Sequence, residues 1–130
     1  MRSTAREAAF QIIFSLLFQP EANANFKSAI YHGKNLNEED VAFADRLVSL
    51  VEEHKEELSQ AITERIERFS ENRIYKADKA IMLLALAEMR YIDDVPPVVS
   101  VSEAAALARK YSTENSANFV SGVLGGLIES

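Results

Sequence analysis

The stretch Lys79-Ala-Ile-Met-Leu-Leu-Ala-Leu-Ala87 decides the fold. It is apolar almost all round, which is how a helix reads when neighbouring helices cover most of its circumference. The pattern therefore predicts a central helix with other helices packed about it. Asp93-Asp94-Val95-Pro96-Pro97 stops that helix, because proline cannot donate the next backbone bond and biases its predecessor away from helix.

Working toward the N-terminus, Phe10, Ile13, Phe14 and Leu17 recur at three and four, and Thr4 with Glu7 has capping-box spacing. These predict one amphipathic helix ending near Pro20. Phe26, Ala29 and Ile30 predict a shorter helix closed by a turn at Gly33. Asn37 with Asp40 marks the next start, and three acids in that first turn suit the positive end of a helix dipole. Val41, Ala44, Leu47, Val48 and Val51 then form one stripe, and Leu58, Ile62, Ile66 and Phe69 another; the pattern leaves open whether they join through EEHKEE at 52–57.

Toward the C-terminus, Ser100 with Glu103 repeats the capping-box spacing, Ser112-Thr-Glu-Asn-Ser116 reads as a turn and new cap, and Phe119, Val120, Val123, Leu124 and Leu127 supply the last stripe. No alternating strand pattern survives. The expectation is an all-α chain of about seven helices joined by short loops.

Composition bounds what such a chain does. Its 130 residues suit one domain, and 14 Lys+Arg against 20 Asp+Glu leave a net charge of −6, which argues against a broad phosphate-binding surface. The charge is uneven. Residues 37–71 carry eleven acids and four bases, whereas residues 1–36 carry four bases and two acids. With no cysteine there are no disulfides, thiolate nucleophiles or cysteine zinc sites. No stretch approaches the ~20 apolar residues of a membrane span, and the N-terminal pattern lacks the form of a signal peptide. A soluble, cytoplasmic protein is expected.

Reactive constellations are absent from the pattern. His32 and His54 stand alone, without a ligand at metal spacing. Gly122, Gly125 and Gly126 follow no strand, as a phosphate loop requires, and read as close helix packing. Ser121-Gly122 lacks the glycine that precedes a nucleophile elbow. Glu52-Glu53 and Glu56-Glu57 read as solvated charge. No catalytic residue, metal ligand or cofactor is expected, and the chain is not read as an enzyme.

Several motifs, in order along the chain, resemble the NusB family of bacterial transcription antitermination factors. Ala5-Arg6-Glu7-Ala8-Ala9-Phe10-Gln11 is similar to the family's opening, and Asp78-Lys79-Ala80 to the start of its central helix. Asp94-Val95-Pro96, Glu103-Ala104, Ala108-Arg109-Lys110-Tyr111 and Phe119-Val120-Ser121-Gly122-Val123-Leu124 are similar to its C-terminal signature. The resemblance implies two packed helical bundles, about 1–71 and 72–130. It also implies a non-catalytic adaptor that pairs with a ribosomal protein, NusE, to hold the boxA element of nascent RNA. That assembly joins RNA polymerase and other Nus factors to suppress termination, notably in ribosomal RNA transcription.

The resemblance further implies residue roles. Arg2 and Arg6 fall in the family's RNA-contacting N-terminal stretch, and four-residue spacing puts them on one helix face. Asn115, Asn118 and Phe119 fall in a second RNA-contacting region, where Phe119 offers a stacking face unless it is core. Phe14, Asp78 and Met82 align near the NusE-binding face, with Phe14 and Met82 open to a core role. The chain departs from the family in having fewer N-terminal bases, Asn118 where some members carry lysine, and Ser121 in place of asparagine. Some members self-associate, so a homodimer stays open. Two other readings also stay open: a detached substrate-binding module of a ribosomal-RNA-modifying enzyme, and a helical interaction module without RNA affinity.

Overall fold

The computed structural model describes residues 2–19, 24–67 and 74–128. Among them are six helices and no strand: α1 (Arg2–Leu16), α2 (Ala24–Gly33), α3 (Glu38–Glu67), α4 (Lys76–Tyr91), α5 (Pro97–Tyr111) and α6 (Glu114–Gly125). The expected helix end near Pro20, Phe69 of the second α3 stripe and the boundary between the two halves lie outside the described residues.

The count is six because the stripes on either side of EEHKEE are two helical segments that meet end to end at a kink and are taken together as α3. The join is marked, however: His54 has φ −112° and ψ 17° and kinks α3. Its ring stacks on that of Tyr91, the last residue of α4, with centroids 4.1 Å apart at 15°. Glu57 Oε1 ties the pair together, 2.5 Å from His54 Nδ1 and accepting from the Tyr91 hydroxyl at 2.8 Å.

α4 occupies the centre, as its all-round apolar sequence predicts. Every residue from Ala80 to Glu88 is buried, and α4 packs against α1, α3, α5 and α6. One continuous core joins both halves of the chain, with Ile12, Ile13, Leu47, Leu58, Ile81, Leu83, Leu86 and Leu124 fully enclosed. Each such side chain contributes about 1.5–3 kcal/mol of transfer free energy. α2 is peripheral. None of its residues is buried, and only Ile30 and Tyr31 lean partly on the core.

The helix ends divide into those that local signals specify and those that they do not. Asn37 Oδ1 accepts from the Asp40 N–H at 2.9 Å, and Thr113 Oγ1 accepts from the Ser116 N–H at 2.9 Å, so α3 and α6 carry side-chain caps. Thr4 and Ser100 are not caps. α1 already runs from Arg2, and α5 begins at Pro97, whose missing N–H and fixed φ suit the first helical position. The turn after α2 also differs from expectation. Asn35, not Gly33, takes the left-handed conformation (φ 54°), and the Leu36 N–H closes back on Tyr31 O at 3.2 Å.

Of the three C-terminal glycines, only Gly126 is closely packed. A Cβ there would lie 2.1 Å from Arg65 Nε, whereas Gly122 and Gly125 face open space. No helix among the described residues is long and apolar enough to cross a membrane.

Candidate nucleic-acid interface

Charged residues of α1 meet those of α4 and α5. Arg6 turns inward: Nε donates to both oxygens of Glu88 at 2.9 and 3.1 Å, Nη2 lies 2.7 Å from Glu88 Oε2, and Nη1 donates to Glu103 Oε1 at 2.8 Å. Glu88 Oε1 also accepts from Ser100 Oγ at 2.7 Å, and Glu103 Oε1 from Ser3 Oγ. Arg6 is 5% exposed and Glu88 1%. Charges so enclosed persist only when paired and hydrogen-bonded, and here both are. Ser100 and Glu103, spaced like a capping box, take part in this network instead.

Arg2 and Arg6 do share a face, as their spacing predicts. Their guanidinium carbons lie 4.4 and 5.4 Å from the centroid of the Phe43 ring. Their situations differ. Arg2 keeps nearly half of its side chain exposed and pairs with the still more exposed Asp94 at 3.2 Å. Arg2 is thus presented to solvent, whereas the Arg6 guanidinium is taken up by Glu88 and Glu103.

The next residue, Glu7, gathers three elements. Oε1 accepts from Lys34 Nζ just beyond α2 at 3.0 Å, while Oε2 accepts from the Tyr111 hydroxyl at 2.7 Å and lies 2.5 Å from Lys110 Nζ. Burial pushes the Glu7 carboxyl up, but hydrogen bonds from Lys110, Tyr111 and Lys34, with the Lys34 charge, outweigh it and hold the pKa at about 2. The Lys110 ammonium is correspondingly raised, chiefly by its hydrogen bond to Glu7. Tyr111 is raised by burial and by the same carboxylate. Its ring packs on Phe10 with centroids 4.8 Å apart, so this cluster is fixed from below by the core.

Beyond Tyr111 the chain turns into α6, where Asn115 and Asn118 are exposed and Phe119 is half-buried against the core. Two amide side chains therefore stand on the surface while Phe119 divides its ring between core and solvent. Between them Ser116 points inward and donates to Asp78 Oδ2 at 2.9 Å, linking the first turn of α6 to the first turn of α4.

The residues aligned with the partner face separate by depth. Phe14 is half-buried, in a tilted contact with Phe10 (5.9 Å) and an edge contact with Phe18 (5.2 Å). Asp78 is 2% exposed and Met82 fully buried. Their side chains are not offered at the surface: Asp78 is held by Ser116, and Met82 takes the core role that the sequence left open to it. The exposed aromatic at this corner is Phe18, 60% exposed, with Lys76 Nζ 5.2 Å from its ring centroid.

Sequence reasoning assigned no role to Glu88, to Phe18 or, beyond its place in the C-terminal signature, to Lys110. Glu88 carried a signal, an acid directly after nine residues that form the most enclosed helix, where a lone carboxylate demands a cation. Lys110 and Phe18 lie at helix ends, where periodicity assigns no face.

With this geometry in hand, comparison places the chain among known proteins. The family model described as NusB family matches residues 3–129. The transcription antitermination protein NusB of Clostridium novyi (strain NT) is 32% identical, with 98% of each chain covered. That of Carboxydothermus hydrogenoformans is 38% identical, covering 98% of this chain and 92% of its own. The structure of T. maritima NusB superposes with TM-score 0.83 at 26% identity, covering 98% of this chain and 90% of that one. A crystal structure of antitermination factors NusB and NusE in complex with dsRNA contains a chain of the same fold, with TM-score 0.84 at 24% identity, over 98% of this chain and 95% of that one. A match that runs nearly end to end, in sequence and in helix arrangement, makes this chain a member of the NusB family of transcription antitermination factors, regulators rather than enzymes.

Proposed function

We propose that the chain is a cytoplasmic antitermination adaptor that pairs with NusE and, with it, holds boxA-type single-stranded RNA in nascent transcripts, notably ribosomal RNA. In that role it joins RNA polymerase and other Nus factors. The observation that carries this reading is the family match over residues 3–129. The solved complex of NusB, NusE and dsRNA supports it by analogy of fold.

In this reading Arg2, Asn115, Asn118 and Phe119 touch RNA. Arg2 supplies a phosphate contact, the amides bond to base edges or phosphate, and the exposed part of Phe119 stacks. Arg6 is a positioning residue, which fixes α1 against α4 and α5 so that Arg2 is held at the surface. The NusE face is carried by Phe14 with Phe18, and Asp78 and Met82 support it from beneath. The halves at about 1–71 and 72–130 act as one unit, because α4 packs against helices of both.

Arg2 pairs with Asp94, so phosphate must compete with that carboxylate, and solitary RNA binding is weak. A second polypeptide that grips the same RNA raises affinity through effective concentration. Titration of labelled boxA RNA with and without NusE tests this. Tighter binding with the partner is expected, and equal affinity in both titrations would overturn the proposal.

A further inference from the structure

We propose that Lys110, at the C-terminal end of α5, is a phosphate-contacting residue for single-stranded RNA and that Glu7 restrains it in the free protein. This rests on the RNA-binding reading above and adds a site to it.

Three observations carry the inference. Lys110 lies between the two expected RNA-contacting regions: it touches α1 through Glu7, and α5 ends one residue later, only two residues before α6 and Asn115 begin. Its side chain is 62% exposed, more than that of Arg2 at 48%. With the Arg6 guanidinium enclosed by Glu88 and Glu103, the surface here needs another cation to track a backbone.

The third observation concerns release. Glu7 is 15% exposed and has more donors than one ammonium: Lys34 on Oε1, and Tyr111 on Oε2 beside Lys110. When Lys110 swings to a phosphate, Glu7 keeps Lys34 and Tyr111, so no buried carboxylate is left unpaired. Exposed ion pairs in water are weak, and the lysine stem is flexible enough to change partner. Two lysines facing one carboxylate also leave a positive excess, which a phosphate senses before the exchange. The raised Lys110 and lowered Glu7 ionisations keep both members of this pair charged at neutral pH.

The exchange predicts opposite signs for the two partners of one ion pair. Full-length protein with NusE is titrated against labelled boxA-type single-stranded RNA across a salt series, comparing wild type, Lys110→Gln, Glu7→Gln and a distant control, Lys55→Gln. Lys110→Gln is expected to bind several-fold more weakly and to flatten the log–log salt slope by about 0.7, one phosphate contact on a single strand. Glu7→Gln is expected to bind several-fold more tightly, and Lys55→Gln to match wild type. If Lys110 only ties α1 to α5, both substitutions at that pair weaken binding together, and the proposal falls. It also falls if Lys110→Gln keeps the wild-type affinity and slope. If wild type with NusE does not bind the RNA at all, the functional reading fails and this inference with it, an outcome distinct from binding that ignores Lys110.

Discussion

Arg6 and Glu88, 82 residues apart in the chain, form a buried ion pair in which Nε and Nη2 lie 2.9 and 2.7 Å from the same carboxylate oxygen. The pair fastens α1 to the central helix, and Ser100 and Glu103 extend it to α5. Removing one member strands the other as a buried charge. Arg6→Ala or Glu88→Ala is therefore expected to lower stability by about 3–5 kcal/mol, read as a shift of the urea unfolding midpoint. Replacing both, Arg6→Met with Glu88→Leu, is expected to recover most of that loss, because two apolar groups of similar volume need no compensation. Equal stability of wild type and either single alanine variant would remove the pair from the framework. RNA binding by Arg6 variants is to be compared only where each is fully folded.

Acid stability follows from Glu7. Its carboxyl titrates at about 2 in the folded chain against an ordinary 4.5, so the folded state favours the ionised form. The resulting stabilisation is complete above pH 4.5 and disappears as pH falls toward 2. Glu7→Gln removes the titrating group and is expected to flatten the dependence of stability on pH in that window, while remaining less stable than wild type at neutral pH. Denaturant midpoints at pH 6, 4 and 3 check this. A slope in the variant as steep as in wild type would assign the acid sensitivity elsewhere.

How much of this was legible in the sequence depended on range. The central helix was readable because nine consecutive residues carry its environment in their own composition, and Asn37 and Thr113 because a cap acts on the N–H three residues away. Thr4 and Ser100 misled for the complementary reason. Their spacing is right, but where a helix begins also depends on what the preceding residues can do, and Pro97 starts α5 three residues before Ser100. The site was less legible still. Sequence spacing put Arg2 and Arg6 on one face, yet which of them meets solvent is decided by Glu88 and Glu103, which arrive from distant helices. Asp78 and Met82 likewise sit at aligned positions whose depth only the packing of α4 reveals.

The C-terminal glycines offer a contrast within one helix. Gly122 lies inside α6 with nothing within 4 Å of a Cβ added there. Gly122→Ala is therefore expected to stabilise by about 0.5–1 kcal/mol through helix propensity. At Gly126 the same methyl would meet the Arg65 guanidinium at 2.1 Å, and Arg65 must move to admit it. The atoms it meets are the far end of a flexible side chain, so the shift is cheap, and Gly126→Ala is expected to change stability by less than about 1 kcal/mol. Thermal midpoints check both: Gly122→Ala should melt above wild type and Gly126→Ala close to it, and a large loss at Gly126 would show that Arg65 cannot give way.

The corner where α1 ends separates surface recognition from core support. Phe18 is 60% exposed with the Lys76 ammonium 5.2 Å from its ring centroid, whereas Met82, on the central helix, is fully buried. Phe18→Ser loses one edge contact with Phe14 and is expected to change stability by no more than about 1 kcal/mol. If this corner is where NusE docks, the same change weakens NusE binding by about tenfold, or about 1.4 kcal/mol. Met82→Ala is expected to do the reverse, costing about 2–5 kcal/mol of stability by leaving a cavity, with near-normal NusE affinity at temperatures where the variant stays folded. Calorimetric titration with NusE, paired with unfolding curves, resolves the two effects. Wild-type affinity in Phe18→Ser would move the partner surface away from this corner, because no other change in the series removes so much exposed aromatic area at so little structural cost.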